Sequence, residues 1–419
     1  MLDAFKEGLV SEDTINRAVI RLMTTRFKLG LFDNLDSVLY NKIPFEKVDC
    51  KEHKDLNLKA SQKSIVLLKN NGILPLDKSK IKSIGIIGPN ANSRKALIGN
   101  YEGTASRYIT VSEGIEDYCK DGITVRYAEG CHLYKNNMSG LSAPNKNDRL
   151  AEAISVAEIS DLVILCLGID STVEGEEGDT SNEFPGGDRE SLELPGRQIE
   201  LLEKLIEVGK PIILVSMSGS AVTYGGLDEK VDALVHSFYP GSLGGKAIAS
   251  VLFGDFSPEG KLPVTFYKST EELPSFTDYN MENRTYRYMK NRALFPFGYG
   301  LSYSTFELFN LRLEGKKCSL TIKNTGKYAG SETIQLYIKI NDLHAPNYQL
   351  KGFKKVFLEP DQEKNACFDL KSEDFGLYDE KGDLKIYDEA EIFVGTSQPE
   401  VRSFELTGTR PLYWKGKIQ

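Results

Sequence analysis

The sequence predicts an α/β layered sandwich domain with a mostly parallel sheet, followed by an all-β sandwich. Three observations predict it. From about residue 58 to residue 266, continuous Val/Ile/Leu runs alternate with amphipathic stretches of helical period. Beyond residue 304 the apolar period becomes two. Between these regions, residues 267–304 are rich in Pro, Gly, Tyr and Phe with no clear period, as in a connecting arm that lies on the surface of other domains.

Residues 1 to about 33 carry Leu9, Ile15, Val19, Ile20 and Leu22 at helical spacing and end at Lys28-Leu-Gly30, where Gly30 suits a helix C-cap. This is one or two helices whose apolar face needs a surface to cover. The runs Ser64 to Leu68, Ser83 to Ile87, Asp161 to Gly168, Pro211 to Ser216 and Val231 to His236 suit strands buried on both sheet faces. Asp148 to Ala157, Gly196 to Val208 and Gly244 to Leu252 are the helices between them. In the last region Cys318 to Lys323, Thr333 to Ile338, Leu350 to Leu358, Ala366 to Leu370 and Ala390 to Val394 are strands. Turn signals at Asn324-Thr-Gly326, Glu359-Pro360 and Glu380-Lys-Gly382 separate them.

Length and composition bound the function. At 419 residues the chain holds two or three domains, and 40% hydrophobic with 27% charged residues is ordinary globular usage, which argues against disorder. A net charge of -8 without a Lys/Arg block makes nucleic acid a poor partner. The apolar runs fall far short of the ~20 residues of a membrane span, so no membrane partner is expected. The first 23 residues lack the apolar core and small-residue cleavage site of a secretory leader, which points to the cytoplasm if Met1 is the native start. Six scattered cysteines form no C-x-x-C pair and read as reduced structural thiols, and four dispersed histidines show no metal-ligand spacing. No metal or cofactor is expected.

The most unusual segment follows the run Leu162 to Gly168. It reads Ile169-Asp-Ser-Thr-Val-Glu174-Gly-Glu176-Glu177-Gly-Asp179, at the carboxyl end of a strand, where ligands of open α/β sheets sit. Four acids within six residues repel one another, which raises the pKa of any member that is also desolvated. A carboxyl kept protonated near neutrality can donate to a leaving glycosidic oxygen. A solvated acidic loop and a calcium site made of oxygens explain the same composition, although EF-hand spacing is not met. Elsewhere, Gly85-Ile-Ile-Gly88-Pro-Asn-Ala-Asn92 is no phosphate cradle, because Pro89 removes a backbone donor. Ser218 and Ser220 lack a nucleophile-elbow context. The aromatic tract Phe295 to Tyr303 reads as packing between domains.

At this point the chain resembles glycoside hydrolase family 3, particularly its β-glucosidase and β-xylosidase members. Val66-Leu-Leu-Lys-Asn-Asn-Gly-Ile-Leu-Pro-Leu76, Ile86-Ile-Gly-Pro-Asn-Ala91, Tyr239-Pro-Gly-Ser-Leu-Gly-Gly245 and Leu252 to Val264 are similar to signatures of the family's α/β sandwich domain. Arg284-Thr-Tyr-Arg-Tyr288 and Phe295 to Tyr303 continue the likeness, and Asn324 through Tyr337 with Leu350-Lys-Gly-Phe353 resembles its fibronectin type III-like domain. The resemblance divides the chain into 1–57, a remnant of barrel-closing helices and linker; 58–266, the α/β sandwich; 267–304, the arm; and 305–419, the fibronectin type III-like domain. Val173-Glu174-Gly-Glu-Glu-Gly-Asp179 matches a family loop of the form V-E-G-x-x-G-D. That match implies Glu174 as general acid/base, with Glu176 as the fallback. Gly99 to Tyr108 looks most like the β-xylosidase branch.

Nothing in the chain resembles the family's N-terminal (β/α)8 barrel, whose aspartate is the nucleophile. The resemblance therefore implies the C-terminal part of a retaining, exo-acting β-glycosidase. Its substrate is a β-linked oligosaccharide or glycoside, it supplies the general acid/base but not the nucleophile, and its partner is a missing barrel domain. A non-catalytic carbohydrate-binding or interaction fragment is the alternative.

Overall fold

A computed structural model of the chain describes residues 1–136, 148–174 and 189–418. It divides into two compact units, Met1–Asp55 and Leu56–Gln419. The first unit contains α1 (Leu2–Lys6) and α2 (Glu12–Lys28), as the spacing predicts. Ser11 caps α2 by accepting from the Thr14 amide, and Gly30 at φ +72° follows its end. No side chain of this unit is buried, and Leu9, Ile20, Leu22, Phe27 and Phe45 are all largely exposed.

The second unit begins in α3 (Lys51–Ser64), which straddles the division. There follow β1 (Val66–Asn70), β2 (Ser83–Ile87), α4 (Val111–Cys119), β3 (Thr124–Ala128), α5 (Asp148–Glu158) and β4 (Leu162–Gly168). Then come α6 (Gln198–Val208), β5 (Ile212–Met217), β6 (Ala233–His236) and α7 (Gly244–Leu252). Among the described residues the six strands form one sheet in the order β1-β6-β5-β4-β2-β3, parallel except for β1, which pairs antiparallel with β6. β1 therefore closes an edge rather than continuing the parallel series.

The strands read as unbroken apolar runs because both faces are covered. In β4, Val163, Leu165 and Leu167 enter one core with α5 and α6, while Leu162, Ile164 and Cys166 enter the other with α4 and α7. At about 1.5–3 kcal/mol per fully buried large aliphatic side chain, these alternating rows are the main source of the domain's stability. The sequence pattern missed α3, α4 and β3, which are shorter or more polar. β3, at a sheet edge, is exposed or half-buried except for Ala128 at its end, and α4 is announced chiefly by its Thr110/Glu113 capping box.

Residues 267–304 contain one short α-helix, α8 (Thr285–Tyr288), and a 3-10 turn at Thr270–Glu272. The later part of this arm buries Phe295 and Tyr299 in the α5/α6-side core, and the Tyr299 hydroxyl donates to the Leu68 carbonyl at 2.9 Å. The aromatic tract is thus packing, as its composition suggests. The final region is all antiparallel. β7 (Phe306–Glu314), β8 (Lys317–Asn324) and β11 (Glu363–Asp369) form one sheet, and β9 (Gly330–Lys339), β10 (Gln349–Leu358), β14 (Glu389–Gly395) and β15 (Leu412–Lys417) form the other. β12 (Gly376–Tyr378) and β13 (Leu384–Ile386) make a hairpin. Leu320, Ile322, Leu336, Ile338 and Ile392 fill the space between the sheets.

The core of the α/β region encloses a histidine. His236, at the end of β6, is fully buried, with Nδ1 3.2 Å from Ser216 Oγ and its ring edge-on to Phe238 and Phe266. Burial holds its pKa down to about 3. The unfolded chain takes this proton near pH 6.5 and the folded chain does not, so stability is complete above pH 6.5 and declines below it. The slope is about 1.4 kcal/mol per pH unit until the folded ring titrates. Between pH 7.5 and 5.0 the urea-unfolding free energy should drop about 2 kcal/mol more than in His236→Gln. Equal drops would mean that the ring is protonated without cost.

Candidate functional site

The strand order reverses between β2 and β4: the chain runs outward from β2 to β3, then returns to β4 and proceeds through β5 to β6. The loops leaving the carboxyl ends of β2 and β4 therefore diverge, opening a crevice of the kind where ligands of α/β sheets bind.

The β4 exit is tightly held. Gly168 sits at φ +151°, and a Cβ there would collide with the Met217 carbonyl oxygen of β5. Gln198, completely buried at the start of α6, accepts from the Gly168 amide at 2.8 Å and donates to the Gly168 and Leu133 carbonyls at 2.7 Å. The Ile169 amide donates to the Met217 carbonyl, and its own carbonyl accepts from buried Asn90 at 3.0 Å. Asp170 Oδ1 then accepts from the Thr172 amide and hydroxyl, while the Val173 and Glu174 amides return to the Asp170 carbonyl. This is an Asx-type turn, and it fixes where Glu174 leaves the backbone.

Three neighbouring loops meet at Glu174. From the loop after β5, Ser220 donates its hydroxyl to Oε1. From the loop after β6, Tyr239 donates to Oε2. From the loop after β2, the Asn100 amide group donates to the Glu174 carbonyl. Gly219 permits the approach: a Cβ there would lie 2.6 Å from a Tyr239 ring carbon and 3.2 Å from Glu174 Oε2. Tyr239 follows Phe238, which adopts φ +53°, and the loop is anchored to α3 because Ser61 donates to the Pro240 carbonyl. Burial, then the adjacent Glu174 carboxylate, drives the Tyr239 pKa far above that of a free phenol, so the hydroxyl keeps its proton.

Glu174 borders an open cleft of about 540 Å³ with Arg189, Ser220, Leu192, Thr270 and Phe276 along it, and Phe276 is 90% exposed. Arg189 donates to the Glu193 carbonyl at 2.9 Å, and Glu193 accepts from Ser191 and from Thr270. Glu190 borders the same cleft. The arrangement offers a hydrogen-bonded carboxyl, a guanidinium and an exposed aromatic ring, a set suited to hydroxyl-rich rings.

Of the residues singled out in the sequence, Glu174 lies at this convergence, whereas Glu176, Glu177 and Asp179 lie outside the described residues. Ser220 belongs to the site as a partner of Glu174, and Ser218 donates to the Ser220 carbonyl at 2.7 Å. Sequence reasoning missed Tyr239, Asn100 and Gly219 as site residues. The available signal was positional, since Asn100 and Gly219 follow the carboxyl ends of β2 and β5, which flank β4, and Tyr239 follows that of β6, one strand further out. No helix among the described residues is long and apolar enough to cross a membrane.

Residues 65–303 match the profile of the glycosyl hydrolase family 3 C-terminal domain, and residues 332–398 match the fibronectin type III-like domain. The chain belongs to glycoside hydrolase family 3. It is 34% identical to a β-xylosidase of Formosa agariphila over 88% of this chain and 51% of that protein. A β-glucosidase structure from Erythrobacter marinus matches 99% of this chain and 57% of its own at TM-score 0.80 and 31% identity. A family 3 exo-β-xylosidase solved with a xylobiose aziridine probe matches 99% of this chain and 56% of its own at TM-score 0.81 and 28% identity. The chain spans about half the length of the curated relatives it matches.

The Gln198 clamp makes a quantitative expectation for this family 3 site. Gln198→Leu preserves volume but deprives buried backbone groups of Gly168 and Leu133 of their partner, at about 1–3 kcal/mol per unsatisfied group. Chemical denaturation should register a loss of about 2–4 kcal/mol, and a loss below ~0.5 kcal/mol would show that the clamp is dispensable.

Proposed function

We propose that this chain is the C-terminal part of a retaining, exo-acting β-glycosidase of the xylosidase/glucosidase group, and that Glu174 is its general acid/base. The observation that carries the reading is the convergence of three strand-end loops on the Glu174 carboxyl beside an open cleft. Its place in a V-E-G-x-x-G-D loop of a family 3 chain agrees with it. Two of the three relatives named above are β-xylosidases and one is a β-glucosidase, which tilts the substrate toward β-xylosides.

In a retaining mechanism two carboxyls stand about 5–5.5 Å apart. The nucleophile's electron pair forms a bond to the anomeric carbon as the glycosidic C–O bond breaks. The electrons of that bond go to the leaving oxygen, which takes the proton from Glu174. The resulting carboxylate then removes a proton from water, which displaces the nucleophile and restores the acid. Among the described neighbours of Glu174, Asp170 is buried and committed to Thr172, and Glu193 is bonded by Ser191 and Thr270. Neither is poised for attack. We assign the nucleophile to a (β/α)8 barrel domain corresponding to the half of the relatives that this chain does not span. The exposed apolar side chains of α2 and its flanks, Leu9, Ile20, Leu22 and Phe27, are suited to cover such a partner.

Purified chain should give no turnover of aryl β-xyloside or aryl β-glucoside, and a Glu174→Gln control should be equally silent. Turnover that disappears in the control would place a nucleophile within this chain, with Glu190 the first carboxylate to replace.

A further inference from the structure

The two oxygens of Glu174 are not equivalent. Oε2 faces Tyr239, a half-buried phenol wedged over Gly219 and Gly99, whose hydroxyl is aimed at that oxygen. Oε1 faces Ser220, an exposed residue on the cleft side whose hydroxyl also lies 3.4 Å from an Arg189 nitrogen. A serine hydroxyl rotates freely about its C–O bond and both donates and accepts, whereas a phenol held in a packed ring plane has far less choice of direction.

When Glu174 is ionised, both hydroxyls donate to it. When it gains a proton, one of the two bonds must reverse or break, because an O–H facing a donating hydroxyl has no acceptor. A phenol proton keeps to the ring plane, so reversal at Oε2 would turn the Tyr239 proton to the opposite in-plane side, where the Gly219 backbone N–H, itself a donor, already faces the oxygen. Reversal at Oε1 requires only a rotation of Ser220, which has the cleft beside it.

We propose that Tyr239 and Ser220 sort the two oxygens of Glu174: Tyr239 holds Oε2 as a permanent acceptor, and the transferable proton resides on Oε1, facing Ser220 and the cleft. Tyr239 is then a positioning residue that presents the acid in one orientation, and Ser220 is a rotor that supports both protonation states. The assignment rests on the reading of Glu174 as acid/base.

The test uses Glu174→Gln as a fixed stand-in for the protonated acid, with its carbonyl oxygen and its NH2 group marking the two positions. In the full chain with nitrogen-15-labelled glutamine, the side-chain NH2 introduced by Glu174→Gln should give nuclear Overhauser contacts to the Ser220 β-protons. These should be roughly tenfold stronger than its contacts to the Tyr239 ring, as one retained hydrogen bond of about 1.4 kcal/mol requires. Adding Tyr239→Phe, which keeps the ring and its packing, should bring the two orientations to within about twofold. Contacts chiefly to the Tyr239 ring, comparable contacts to both residues before Tyr239 is changed, or a preference unaltered by Tyr239→Phe would each overturn the proposal. A separate failure is visible elsewhere. If Glu174→Gln leaves the turnover of an assembled enzyme intact, the acid/base reading falls while the orientation result stands.

Discussion

The site depends on how the backbone is held where it leaves the central strand β4. That strand lies between β5 and β2 with both faces buried, so its last residue emerges among groups that water cannot reach. Buried backbone donors and acceptors must be paired within the protein, and here a single glutamine amide pairs with both groups of Gly168 and reaches Leu133 as well. Only glycine fits the resulting conformation against Met217. From this fixed exit the Asp170 turn delivers Glu174 to the same place each time the domain folds, and the loops after β2, β5 and β6 close on it.

The parallel sheet explains why one carboxyl can gather partners from three loops. All strands from β2 to β6 end on the same edge, so side chains far apart in sequence, such as Asn100, Glu174, Ser220 and Tyr239, project from adjacent strand ends. None of these contacts is strong alone, since a hydrogen bond of this kind contributes about 0.5–3 kcal/mol, the upper part of that range where the acceptor is charged. Their value lies in orientation: a proton donor is useful only when held within hydrogen-bond reach of the atom it protonates. The second carboxyl that the mechanism calls for is ascribed to a separate barrel, so the reacting centre would form only where two domains meet.

Much of this architecture was legible in the sequence, for identifiable reasons. Val163 to Leu167, Ile212 to Val215 and Ala233 to Val235 are strands buried on both faces, and such strands leave an unbroken apolar run. β9 and β14 were visible because a two-layer sandwich enforces alternation or continuous burial over six or more residues. α3, which is rich in lysine and otherwise mostly polar, and the short edge strand β3 carry little apolar signal and escaped notice. The antiparallel placement of β1 is decided by which edge it reaches, a tertiary matter. Glu174 stood out because its acidic loop followed an obvious strand. Its companions did not, because Tyr239 stood only within the family signature Tyr239 to Gly245 and Ser220 only as a serine without a nucleophile-elbow context until the sheet order made them neighbours.

The central claim is that this chain contributes the acid to a catalytic centre completed by a barrel. It is tested most directly by titrating the purified chain into the isolated barrel domain of a family 3 β-xylosidase and following hydrolysis of an aryl β-xyloside. The account predicts turnover that rises with added chain and is abolished or reduced ~10²-fold or more when Glu174→Gln is added instead. Equal turnover with the two chains would contradict it, because Glu174 would then play no part in proton transfer.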